Sequence, residues 1–135
     1  MNYKPKTQET SVSTNPDPLP DALGFRSSFY VETEWNSNLE KYETKTEHNT
    51  ISLFCLTRNA IYFKKGSNDW LVNKYEHVST DEESVIFRDE RNQLIIFYPK
   101  KNVLCYCYEL IGNNYKFMTT YMQLEKVDPN VLLSK

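Results

Sequence analysis

Apolar and aromatic side chains concentrate between Gln93 and Tyr108, where Leu94-Ile95-Ile96-Phe97-Tyr98 and Val103-Leu104-Cys105-Tyr106-Cys107-Tyr108 flank Pro99-Lys100-Lys101-Asn102. Two short runs of β-branched, aromatic and long apolar residues around a proline-led turn predict a β-hairpin. Both runs are apolar on both faces, so neither face can simply meet water. The segments able to cover the second face are Val131 to Leu133, the N-terminal arm, a second layer of sheet, or another copy of the chain. Tyr106 and Tyr108 suit an interface, because their hydroxyls tolerate its rim.

The same period of two recurs on either side. Phe29, Val31, Thr33 and Trp35 alternate with Tyr30, Glu32 and Glu34, the mark of a half-buried strand. The charged stretch from Asn36 to Asn49 reads as an edge strand, where charge discourages pairing with another chain, although Leu39 and Tyr42 stand at a helical spacing. Ile51, Leu53 and Cys55 alternate with Ser52 and Phe54, and the chain returns through Ile61 to Lys64. A second hairpin follows, with Asn59 in a left-handed turn conformation. Lys65 to Asp69 is a loop, Trp70 to Val78 a strand, Thr80 to Glu83 an acidic turn, Val85 to Arg88 a strand and Asp89 to Asn92 a turn. Gly112-Asn113-Asn114 is a tight-turn signal that pairs Leu104 to Leu110 with Tyr115 to Met122 antiparallel. Asp128 supplies an N-cap and Pro129 a first helical residue, so Val131, Leu132 and Leu133 form a short closing helical turn.

About eight to ten short strands with turns between them predict an all-β fold, an antiparallel up-and-down meander forming a small barrel or a strongly curved sheet. Residues 1 to 23 are polar and carry Pro5, Pro16, Pro18 and Pro20, which predicts a disordered or extended arm before a single β domain over 24 to 135.

Charge and composition narrow the partners. A net charge of -2 provides no basic footprint for nucleic acid, and three glycines leave no Gly-rich phosphate cradle. No apolar run is long enough to span a membrane, and no apolar signal core opens the chain. Cys105 and Cys107 sit two apart in one strand, about 7 Å between Cα atoms, too far for an easy mutual bridge. With Cys55 they read as free thiols of a cytoplasmic protein.

Candidate chemistry meets a plainer reading each time. Cys55, Cys105, Cys107 and His48 or His77 lack the paired knuckles of zinc sites, so no metal is expected. The two histidines allow a Cys-His pair arithmetically, yet no nucleophile elbow or papain-like sequence accompanies them. Glu32, Glu34, Asp89 and Glu90 could supply a glycosidase carboxylate pair, but they stand where strand faces and turns ordinarily carry charge. No enzyme and no cofactor are expected.

A disordered leader followed by a β-meander with a tryptophan on the first strand resembles small lipocalin-like or fatty-acid-binding-like barrels; Thr33 stands where the lipocalin Gly-x-Trp motif has glycine. The expectation is a non-catalytic binding module with a small apolar ligand or lipid held inside the meander, against Trp35, Tyr62, Trp70, Phe87, Phe97 and Tyr106. The alternative is a protein-interaction module, a subunit, homodimer or inhibitory partner, that uses an exposed aromatic sheet face or the proline-rich arm.

Overall fold

The computed structural model describes residues 22–133, so the expected arm lies outside the described residues except for Ala22 and Leu23. Leu23 already belongs to the sheet. The strands are β1 (Leu23–Ser27), β2 (Phe29–Asn36), β3 (Lys41–His48), β4 (Ser52–Leu56), β5 (Ala60–Lys65) and β6 (Leu71–Thr80). Then come β7 (Val85–Asp89), β8 (Leu94–Tyr98), β9 (Val103–Ile111), β10 (Asn114–Met122) and β11 (Glu125–Val127), closed by the helical turn α1 (Pro129–Leu133). All belong to one antiparallel sheet of order β11-β1-β4-β5-β6-β7-β8-β9-β10-β2-β3.

The meander holds from β4 to β10, each strand pairing with the next in the chain. Local chemistry sets the turns. Between β8 and β9, Asn102 adopts a left-handed φ of 55° after Pro99, and between β9 and β10 Gly112 does so at 61°. Between β7 and β8 the Asp89 carboxylate accepts from the Arg91 and Gln93 N–H groups, 2.9 Å each. The β4–β5 turn differs from expectation. Asn59 is not left-handed; instead the Thr57 side-chain oxygen lies 2.9 Å from the Ala60 carbonyl and accepts from the Ala60 N–H. Asp128 caps α1 through the Asn130 N–H at 2.9 Å.

Ser28 alone separates β1 from β2, yet these strands are second and tenth in the order. A single residue cannot span a flat sheet, so the sheet must curl strongly to bring its ends together. The buried Ser27 side chain pins this corner: its oxygen is 2.8 Å from the Met122 carbonyl and 2.9 Å from that of Phe29. The expected barrel is not formed, because the sheet is not closed; β11 and β3 end the order without pairing with each other. The reason is visible at both ends. Three residues of β11 run into Pro129, which has no N–H to extend a ladder, while β3 carries Lys41, Glu43, Lys45 and Glu47 as the expected edge strand.

The core lies on the concave side, where Phe25, Phe54, Leu56 and Ile61 of the β1–β4–β5 part meet Tyr30, Phe87, Ile95, Phe97, Leu104 and Tyr121 of the larger part. In β4 Ser52, Phe54 and Leu56 face the core, while Cys55 on the opposite face is also buried, near α1; Ile51 is 45% exposed. α1 packs on β1 and β4 from outside, with Leu132 beside Gly24.

Candidate functional site

From β6 to β3 the sheet presents two faces of different chemistry. On the inner face, strand pairing sets Leu104, Tyr121, Tyr30 and His48 in one cross-strand row, followed by Tyr106, Thr119, Glu32 and Thr46, then by Tyr108, Phe117, Glu34 and Glu43. Burial falls along this progression: Tyr30 is fully buried, while Tyr108, Phe117 and Glu34 are half-buried. The face therefore passes from core into an open cleft of about 210 Å³ lined by Glu32, Glu34, Lys45, Thr46, Tyr108 and Phe117.

Polar partners fix one side of the cleft. Glu32 Oε1 accepts from the Thr46 hydroxyl at 2.6 Å and lies 2.9 Å from His48 Nε2, and the His48 ring stacks on Tyr30 at 4.5 Å. The Thr46 hydrogen bond foremost, then that of His48, holds the Glu32 carboxyl below its ordinary range. Such a group stabilises the fold above its unfolded pKa and loses that contribution as pH falls through its folded one. Glu32→Gln is therefore expected to lose less stability than the parent on acidification below the glutamate value of about 4.3. Urea unfolding at neutral and acidic pH checks this, and equal losses in the two proteins would refute it.

The outer face is apolar at its centre. Ile86, Ile96, Cys105, Thr120, Val31 and Glu47 form one row, and Glu76, Arg88, Leu94, Cys107, Met118, Thr33 and Thr44 the next. Tyr98, Val103, Met122 and Phe29 adjoin them. Among the described residues no element packs across this field, since α1 sits on β1 and β4 instead. Charged residues stand at its margins: Glu76 and Arg88 on one side, Glu47 on the other, and at one end Lys101, whose ammonium lies 5.5 Å from the Tyr98 ring centroid and 3.9 Å from Glu83.

The six residues expected to line one ligand site are divided. Phe87 and Phe97 are buried in the core, Phe87 stacked on Tyr75 at 4.1 Å and Phe97 5.1 Å from Phe25. Tyr106 also faces inward, toward Phe63 and Tyr121, and its buried hydroxyl has no hydrogen-bond partner. Trp35 lies on the outer face against Tyr42. Tyr62 points away from the core between Cys55 and Val72, while its neighbours Ile61 and Phe63 pack inward. Trp70 borders an outer hollow of about 250 Å³ beside α1, with Arg26, Leu53 and Lys64. Sequence alternation put Glu32 and Glu34 on the Tyr30 face; that this face continues into an aromatic cleft depends on Tyr108 and Phe117 pairing through β10.

The thiols and histidines are not assembled for catalysis by a Cys-His pair. Burial pushes the Cys107 thiol up to about 12 and raises those of Cys105 and Cys55. Cys105 and Cys107 share the outer face, whereas His48 lies on the inner one and His77 contacts Thr80 and Phe87. Among the described residues no group of three or more His, Cys, Asp and Glu side chains could hold a metal ion, and no helix is long and apolar enough to cross a membrane. No protein-family model, curated protein or solved structure matches the chain.

Proposed function

We propose that the protein is a non-catalytic interaction module that docks through the outer face of β7, β8, β9, β10 and β2, and that the surface it meets is a second copy of itself. The observation that carries this reading is the apolar field of half-buried Leu94, Ile96 and Met118 around the buried Cys105 and Cys107, across which no described element packs. Five strands and three rows at ordinary sheet spacings amount to roughly 500 Å². That is the footprint of the sheet face, more than half of the roughly 800 Å² each partner of a standard interface contributes, and its side chains are half-buried around two buried thiols.

Charge at the margins favours self-association. A two-fold axis along β9 sets β6 and β7 opposite β3 and β2 of the second copy, so Leu94 meets Met118, Ile86 meets Val31, and Arg88 reaches toward Glu47. Docking by strand addition at the β3 edge is disfavoured, because its pairing with β2 slips between Glu32 and Thr33. Such bulges spoil an edge for another strand. A ligand inside the curled sheet is less well supported, since Phe54, Phe63 and Tyr106 already close on Tyr121 with ring centroids 4.8, 5.8 and 5.9 Å away.

Sedimentation of the full chain tests the reading. A dimer is expected, with Leu94→Lys raising its dissociation constant roughly thirtyfold or more, about 2 kcal/mol. Arg88→Glu should weaken it and Glu47→Arg in the same chain restore it. A parent protein that stays monomeric at high concentration, or a dimer indifferent to Leu94→Lys, would overturn the proposal.

A further inference from the structure

The opposite face carries a separate site. Its floor is aromatic: Tyr108 and Phe117 are cross-strand partners with ring centroids 5.4 Å apart, and both line the cleft. Its wall is acidic. Glu34 and Glu43 stand directly opposite each other on β2 and β3, with Glu32 one row inward. Like charges placed across a strand pair repel, and a sheet evolves them away unless something offsets them.

Of these carboxylates, Glu32 is the one offset by the protein's own groups, His48 and Lys65. Glu43 is held by the Asn36 side-chain amide at 2.9 Å, and Glu32 by Thr46 and His48. Glu34 makes no hydrogen bond or ion pair among the described residues. Lys45 borders the cleft without forming an ion pair there, and Lys116 sits 5.1 Å from the Phe117 ring centroid, already using that ring as a seat for positive charge. A carboxylate without a partner, on a half-buried residue beside aromatic rings, attracts a cation whose substituents can also contact carbon.

We propose that this cleft binds an organic cation, an alkylated ammonium group. Its volume of about 210 Å³ is smaller than a drug-sized pocket and suits a headgroup rather than a whole ligand. Glu34 supplies the counter-charge, Tyr108 the ring face and Glu32, kept ionised by its hydrogen bonds, the longer-range attraction. An inorganic ion would make poor use of the rings, and a neutral ligand would leave Glu34 unpaired. The same headgroup could arrive as a free small molecule or on a methylated lysine of a polypeptide.

Titration of the full-length protein with tetramethylammonium, followed by amide chemical shifts, tests the inference. Saturable shifts in β2, β9 and β10 are expected, with tert-butanol, a neutral molecule of similar shape, binding at least tenfold more weakly. Glu34→Gln should weaken the ammonium several-fold to tenfold and leave the melting temperature unchanged or higher, since it relieves repulsion with Glu43. Tyr108→Leu should weaken it comparably. A short peptide carrying trimethyllysine binding more than tenfold tighter than tetramethylammonium would support the site with a polypeptide as source; equal affinities would support it with a free ligand. No saturable shift with either probe, or equal binding of tert-butanol, would overturn it.

Discussion

Phe54→Ala is expected to destabilise the protein by about 3–5 kcal/mol, a large share of a domain's stability of about 5–15 kcal/mol. Phe54 is fully buried in β4, stacks on Phe63 at 5.1 Å and meets Tyr121 edge-on at 4.8 Å. It therefore joins the two parts of the curled sheet, and removing the ring leaves a cavity that neither can fill without parting from the other. Urea unfolding gives the measurement. The same change at Trp35, half-buried on the outer face, should cost clearly less; equal losses would show that the interior is not where stability resides.

Gly24→Ala is expected to cost about 1–3 kcal/mol through overpacking. A Cβ at this position would approach Val127 O to 2.3 Å and Leu132 Cδ1 to 2.9 Å. The carbonyl cannot rotate away as a side chain would, so β11 has to move off β1 and carry α1 with it. Cys55 pairs with Gly24 and is fully buried close to where α1 packs. The variant should consequently show faster alkylation of Cys55 and lost amide protection in β11. Unchanged Cys55 labelling together with unchanged stability would contradict this account of the glycine.

What could be seen from the residues alone was whatever short-range chemistry decides. The β8–β9 and β9–β10 hairpins follow from apolar runs around Pro99 and Gly112, the edge role of β3 from its alternating charges, and α1 from Asp128 and Pro129. Face assignment was harder. In β4 alternation cannot tell whether Ile51, Leu53 and Cys55 or Ser52 and Phe54 turn inward, and the polar Ser52 hides the answer by being wholly buried. Least visible was the corner at Ser28, because Phe25 to Trp35 reads as extended chain and nothing local states that its halves join distant parts of one sheet. The site shared that fate. Tyr106, Phe87 and Phe97 turn inward while Trp35, Tyr62 and Trp70 lie on the outside, because aromatic content does not fix the side of a strand. Glu32 and Glu34 were set aside as surface charge because Tyr108 and Phe117, far along the chain, give them their setting.

The corner at Ser28 also governs how the molecule can be made. Arg26 and Glu125, which form an ion pair at 3.1 Å across β1 and β11, are 99 positions apart. Ordering a loop of that length must precede the contacts that reward it, which places this protein among slow-folding topologies. On the ribosome β1 emerges long before β11, so Phe25 waits without its final cover throughout most of translation, and a chaperone that shields that strand would act on the nascent chain rather than on the finished one.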